Sequence, residues 1–294
     1  MYAITGITGQ IGGVIARTLL AAKKPVRAVV RDAEKGKAWA TRGCEVALAT
    51  IEDSSSLTAA FDGAEAVFAL VPPNFDPQPG FPEAQVIGAA LRSALVTARP
   101  ARVLYLSTIG AQARKPNLLT QHTIIEQMLS DLSLSDRPIG ITFLRPAWFM
   151  ENCRWDVASA REHGVIASFL QPLDKPVPMV ATSDIGKLAA ALLQEPWKGR
   201  REVELEGPHR VTPNEIAAAF TKMLGRPVQM QQVPRKSWEE LFRSQGMKNP
   251  LPRIQMLDGF NEGWIEFERG ESGSQKGSTS LDSALSLLIQ TSSE

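Results

Sequence analysis

Thr5-Gly6-Ile7-Thr8-Gly9-Gln10-Ile11-Gly12-Gly13 decides the reading of this chain. A short apolar run, Tyr2–Thr5, leads into it, and an amphipathic pattern, Gln10–Ala22, leads out. Glycines at 6, 9 and 12 give a GxxGxxG spacing at a strand-to-helix turn. Glycine permits a tight turn there and lets a pyrophosphate approach the backbone. The helix that follows offers that anion free N–H groups and the positive end of its dipole. Glycine-rich turns are common, so the specificity lies in the position, between a first strand and a first helix.

On either side of this turn short apolar runs alternate with longer amphipathic ones, the pattern of parallel βαβ units. Strands are expected at Tyr2–Thr5, Val26–Val30, Glu45–Leu48, Ala66–Val71, Arg102–Ser107 and Ile141–Leu144. Helices are expected near Gln10–Ala22, Ala33–Thr41, Ser54–Phe61, Pro82–Ala98 and Leu119–Leu132. A continuous run such as Ala66–Val71 suits a strand covered on both faces. Right-handed crossovers then align the strand C-terminal ends along one edge, where such sheets bind ligands. The reading is an α/β fold with a doubly wound parallel sheet of Rossmann type over residues 1–150. A smaller mixed α/β substrate-binding region over residues 151–294 interleaves with it.

In that second region the rhythm changes. A strand at Val177–Ala181 leads into a helix whose start, Thr182-Ser183-Asp184, is rich in capping residues. A strand at Glu202–Leu205, a helix at Pro213–Leu224, a strand at Val228–Val233 and a helix from Ser237 follow. Arg269–Ser280 is rich in Gly and Ser and reads as exposed, before a last helix at Leu281–Ile289 capped by Thr279 or Ser280.

Composition narrows the partners. The 294 residues carry 32 Lys plus Arg against 31 Asp plus Glu, a net charge of +1, so nothing favours nucleic acid or an anionic membrane. Two cysteines, Cys44 and Cys153, make neither a disulfide framework nor a multi-cysteine zinc site, and three scattered histidines do not suggest a metal. No apolar run approaches the roughly 18 residues that span a bilayer, and no basic segment precedes an apolar core as in a signal peptide. The expectation is a cytoplasmic protein, monomer or homodimer, that needs no metal.

The second expected strand ends at Val29-Val30-Arg31-Asp32. A carboxylate directly after this strand commonly holds an adenosine ribose diol, but here Arg31 comes first, with Lys35 a turn later. Arginine can grip a 2′-phosphate, so NADP(H) is favoured, with NAD(H) still possible. Asp32 either weakens that preference or caps the next helix.

These features together resemble the NmrA-like branch of the atypical short-chain dehydrogenase/reductase family. The resemblance rests on Thr5–Gly13, Val29–Asp32, Ser107-Thr108-Ile109-Gly110-Ala111, Leu144-Arg145-Pro146-Ala147-Trp148-Phe149-Met150-Glu151-Asn152 and Gly277-Ser278-Thr279-Ser280-Leu281. It implies that Gly6, Thr8, Gly9, Gln10 and Ile11 line the pyrophosphate and that Arg31 meets the 2′-phosphate. It implies that Leu70, Val71 and Pro72 flank the cofactor, that Ser107 and Thr108 approach the nicotinamide, and that Pro146 joins the cofactor contacts. Thr50 stands where relatives often have an aspartate near the adenine.

Most short-chain dehydrogenases pair a tyrosine with a lysine four residues on, the lysine lowering the tyrosine pKa for proton exchange. Here Gly6 stands four residues after Tyr2 and Ile109 four after Tyr105, so the dyad is absent. The matching helix positions hold Leu118 and His122. Ordinary alcohol dehydrogenation by that route is excluded. Hydride transfer to a quinone or azo compound survives, because a conjugated acceptor spreads the incoming charge. His122 is the candidate catalytic residue, as a proton donor titrating near neutral pH and oriented by Gln121 or Glu126; alternatively it is a half-buried helix residue.

Pro146-Ala147-Trp148-Phe149-Met150 follows the sixth strand at the ligand edge. Trp148, Phe149 and Asn152, with Asn74 and Phe75 of the Pro72–Pro82 loop, are the candidate substrate contacts; core packing is the competing role for each. That loop holds five prolines, which suggests a shaped lid. Cys153 reads as an inert thiol, His163 and His209 as solvent-facing, and Trp238, Trp264 and residues around Leu257–Ile265 as core of the small region. Two functions lead: a reductase passing hydride from NADPH to a planar aromatic acceptor without flavin, or an NADP(H) sensor that binds without turnover. A carbon–carbon double-bond reductase ranks below both, since Lys115 is the one lysine in Gln112–Leu132.

Overall fold

The computed structural model describes residues 1–134 and 138–291. One winding comprises β1 (Tyr2–Thr5), α1 (Gln10–Ala21), β2 (Val26–Val30), α2 (Ala33–Ala40), β3 (Glu45–Leu48) and α3 (Ser54–Phe61). The other comprises β4 (Ala66–Ala69), α4 (Pro82–Ala98), β5 (Arg102–Leu106), α5 (Thr120–Ser130) and β6 (Gly140–Pro146). The rest of the chain forms β7 (Trp148–Phe149), α6 (Val157–His163), β8 (Val165–Ser168), β9 (Met179–Val180), α7 (Thr182–Gln194) and β10 (Arg200–Glu206). It continues through α8 (Pro213–Leu224), β11 (Gln229–Gln232), α9 (Trp238–Ser244), α10 (Leu251–Glu262), α11 (Gly270–Gly273), β12 (Gln275–Lys276) and α12 (Leu281–Thr291).

Eight strands pair in parallel in the order β12-β10-β6-β5-β4-β1-β2-β3. Strands β1, β4 and β6 are buried along their whole length; β4 is an unbroken apolar run, while Thr5 of β1 and Arg145 of β6 are buried with hydrogen-bond partners. Alternate residues feed two apolar layers: Ile4 and Phe68 pack with Ile15 and Leu19 of α1, while Ala3 and Val67 pack with Leu91 and Leu95 of α4. Strands β10 and β12, both beyond residue 150, extend the same sheet. Among the described residues no helix is long and apolar enough to cross a membrane.

Chain direction reverses across the sheet between β1 and β4, which opens a crevice at their C-terminal ends. Thr5 shapes it. Its hydroxyl accepts the N–H of Leu70 at 2.7 Å and lies 3.2 Å from the carbonyl of Phe68. The chain therefore leaves the sheet after Ala69, two residues before the expected end of that strand.

Three expectations of the second region change. Val177–Ala181 contracts to β9, with Val177 held in an isolated antiparallel bridge to Val211. The Thr182-Ser183-Asp184 side chains do not cap α7; its N-cap is Ala181, and Glu151 accepts the Thr182 N–H at 2.9 and 3.0 Å. Asp184 instead accepts the N–H and hydroxyl of Thr279, far along the chain, at 2.7 and 2.8 Å. The stretch Arg269–Ser280 is largely exposed, yet it adds β12 beside β10 rather than trailing free.

Candidate cofactor and substrate site

The glycine turn has the shape its spacing demands. Gly6 adopts φ +62°, and a Cβ on Gly12 would sit 2.4 Å from the Gly6 carbonyl oxygen, so helix α1 can approach the turn only with glycine there. No side chain caps α1: its N-cap, Gly9, has none, so the first-turn N–H groups lack a side-chain acceptor. This is a cradle for an anion, and a dinucleotide pyrophosphate fits it. Thr8, Gly9 and Gln10 are exposed on its rim, while Ile11 is buried beneath.

Arg31 and Lys35 are exposed just past β2. Asp32 takes the helix role: it is the N-cap of α2 and accepts the Glu34 N–H at 2.9 Å. One oxygen of its carboxylate is thereby engaged in the cap, beside the exposed cations of Arg31 and Lys35. Thr50 is exposed beyond β3, with its carbonyl accepting the Asp53 N–H at 3.2 Å.

A cavity of about 590 Å³ starts at Gln10 and Ile11 and extends under the sheet edge. Leu70, Val71 and Pro72 line it from the end of β4, and Ser107 and Thr108 from the end of β5. His122, Trp148, Phe149, Asn152, Asn74 and Phe75 line it as well. Pro146 does not: it is buried in β6, and its carbonyl accepts the Ile109 N–H at 2.9 Å. Trp148 meets Phe260 of α10 edge to face at 5.2 Å.

Residues 72–75 of the loop 72–82 line the cavity, and the loop is tied down. Asp76 accepts the backbone N–H groups of Lys248 and Asn249 at 2.8 and 2.6 Å, and the Asn249 side chain donates to the Pro77 carbonyl at 2.8 Å. Gln121 donates to the Asn74 carbonyl at 3.0 Å. Phe75 meets Trp155 edge to face at 6.1 Å.

His122 is oriented by neither of the residues expected to do so. Gln121 serves the loop, and Glu126 is held by Arg145 at 2.6 and 2.9 Å in a buried ion pair. Glu126 also accepts the Ser107 hydroxyl at 2.5 Å, so that hydroxyl is committed inside the protein. The partner of His122 is Tyr105, whose Oη lies 2.8 Å from Nδ1. Burial, reinforced by the charge of Glu126, holds the Tyr105 phenol well above its ordinary pKa of 10, so it stays protonated. Among the described residues that hydroxyl has no other acceptor, so it donates to Nδ1. The neutral ring then carries its hydrogen on Nε2. Burial also pushes the His122 pKa down to about 4, which removes the expected titration near neutrality.

Other cavity groups escaped the sequence reading. Asp156 lines the cavity, its carboxylate without a hydrogen bond among the described residues, and burial pushes its pKa up to about 7. Arg253, Met256, Leu257 and Phe260 line it from α10, so part of the segment read as plain core forms a wall of the site. Cys153 is buried, and burial, with the charges of Asp156 and Glu151, drives its thiol far above the reactive range. His163 and His209 are exposed and Trp238 is buried, as expected.

The NmrA-like family model matches residues 2–270. The NAD(P)H azoreductase of Xenophilus azovorans is 28% identical over 263 residues, 89% of this chain and 85% of the relative. Quinone oxidoreductase 2 of Escherichia coli is 28% identical over 253 residues, 85% and 84% of the two chains. The crystal structure of the NADPH-dependent quinone oxidoreductase from Escherichia coli, complexed with NADPH, superposes with a TM-score of 0.80 at 26% identity, covering 98% of this chain and 100% of that one. With the glycine cradle, the reversal between β1 and β4 and a family match over most of its length, this chain belongs to the NmrA-like family.

Proposed function

We propose that this chain is an NADPH-dependent reductase that passes hydride directly to a planar, electron-poor acceptor such as a quinone or azo compound, without flavin. One observation carries the reading: a single cavity joins the dinucleotide cradle at Gln10 and Ile11 to an aromatic wall at Trp148 and Phe260. The names of the azoreductase and quinone oxidoreductase relatives support it.

When bound, the nicotinamide supplies the hydride. The N-terminus of α1 binds the pyrophosphate, and Arg31 with Lys35 binds the 2′-phosphate, favouring NADP(H) over NAD(H). Leu70, Val71 and Pro72 hold the cofactor against the sheet edge, with Thr108 beside it. Trp148 and Phe149 orient the acceptor ring and exclude water, and the tethered loop bearing Asn74 and Phe75 closes over it. His122 presents Nε2–H as a neutral hydrogen-bond donor. That donor steadies the negative charge that develops on the acceptor oxygen or nitrogen.

The test is NADPH oxidation followed by its nicotinamide absorbance with flavin-free protein and a panel of quinones and azo compounds, with NADH in parallel. Turnover above the uncatalysed rate is expected. Tight NADP(H) binding with no turnover across the panel would overturn the reading in favour of a sensor.

A further inference from the structure

Arg253 differs from every other arginine of comparable burial. Arg27, Arg102, Arg145, Arg161, Arg201 and Arg210 are likewise shielded from solvent, and each donates to a carboxylate or a carbonyl. Among the described residues Arg253 makes neither hydrogen bond nor ion pair. Its guanidinium stacks on Phe242, 4.3 Å from the ring centroid, and the residue lines the cavity. A guanidinium has five N–H donors in a planar fork, and leaving them unmet in a half-buried, largely apolar setting is costly. Burial accordingly lowers its pKa, with no carboxylate near enough to offset the effect.

Helix geometry places that charge relative to the aromatic wall. Arg253, Met256, Leu257 and Phe260 stand at i, i+3, i+4 and i+7 on α10, one face of the helix, and all four line the cavity. Seven residues of helix span about 10 Å, the length of a two-ring aromatic carrying a substituent at its far end. Phe260 is also the residue that meets Trp148.

We propose that Arg253 is a specificity-determining residue that binds the carboxylate of a two-ring aromatic acceptor, received bidentately on its guanidinium while a ring lies against Trp148 and Phe260. The planar fork matches a carboxylate in shape and charge, and the Phe242 ring holds the fork's plane. The proposal deepens the reductase reading, on which it rests, by naming the acceptor as an aromatic acid.

The test is equilibrium binding of biphenyl-4-carboxylate and its neutral counterpart, biphenyl-4-carboxamide, to the NADP⁺-loaded full chain by isothermal titration. The wild type is expected to prefer the carboxylate by about 10-fold or more, as for a charge-assisted pair. Arg253→Met is expected to abolish that preference while leaving carboxamide affinity within about twofold, which also shows that the variant is folded. Arg253→Lys is expected to keep part of the preference. Equal binding of the two probes by the wild type, or a preference that survives in Arg253→Met, would overturn the proposal. Because binding is read without turnover, a chain that fails to oxidise NADPH yet keeps this preference would overturn the reductase reading alone.

Discussion

Tyr105 Oη lies 2.8 Å from His122 Nδ1, joining a buried strand to the cavity wall. The pair fixes which nitrogen of the ring carries the hydrogen, and so decides what His122 can do. With its pKa at about 4, the ring is a neutral donor throughout the working range rather than an imidazolium acid. His122→Ala should lower kcat on the order of 10²-fold, the usual cost of one donor aimed at developing charge. The pH profile of kcat/KM should show no limb that depends on His122 near the ordinary histidine pKa of about 6.5, whatever Asp156, at about 7 in the same cavity, contributes there. A limb there that vanishes in His122→Ala would contradict the neutral ring. Tyr105→Phe should reduce activity less, since it frees the tautomer without removing the ring.

Arg31 is exposed at the end of β2, and Asp32 beside it is engaged in capping α2. Arg31→Ala should lower the ratio of NADPH to NADH affinity by roughly 10-fold, the scale of a lost charge-assisted contact. Titration of both cofactors on the wild type and the variant checks this. An unchanged ratio would remove Arg31 from the 2′-phosphate site.

Glu126 and Arg145 form a buried pair, their side chains 7% and 3% exposed. Glu126→Ala strands the guanidinium, and Glu268, more than half exposed, reaches only one of its nitrogens. Unfolding by urea should show a loss of about 3 kcal/mol, the scale for breaking a buried pair. The double variant Glu126→Leu with Arg145→Met should lose less than Glu126→Ala alone, because no uncompensated charge remains.

Asp156 gives stability a pH dependence of definite sign. Its carboxyl titrates at about 7 in the fold and at about 3.9 in an unfolded chain, so the folded state binds the extra proton between those values. This contribution to stability is full below about pH 3.9 and is lost as pH rises through about 7. Asp156→Asn, which cannot ionise, should raise Tm at about pH 8 on the order of 3 °C and change it little at about pH 4. Equal shifts at the two pH values would contradict the assignment.

The first winding was legible because each of its strands is a short apolar run and each turn residue has a local reason. Gly6, Gly12 and the Asp32 cap all act within a few residues of themselves. The site's second half was less legible because its contacts are long-range. Glu151 reaches across 31 positions to cap α7, and nothing in Thr182-Ser183-Asp184 shows that its local caps go unused. Helix α10 is hard to read because Pro250 and Pro252 stand at its start and its buried residues do not keep to one clean face. Tyr105 has no lysine four residues on, and its partner lies 17 positions away on another element, beyond the reach of a spacing motif. Burial, not spacing, set the states of His122, Asp156 and Cys153, and burial of single polar groups leaves no mark on the sequence.

Direct transfer from NADPH to an acceptor held in the same cavity is open to a stopped-flow experiment. Flavin-free protein, one equivalent of NADPH and an azo acceptor are mixed, with absorbance read at the nicotinamide and dye bands. Both signals should fall together with one rate, and this rate should slow when the transferred hydrogen at nicotinamide C4 is deuterium. NADPH that binds but persists unoxidised beside the acceptor would contradict direct transfer.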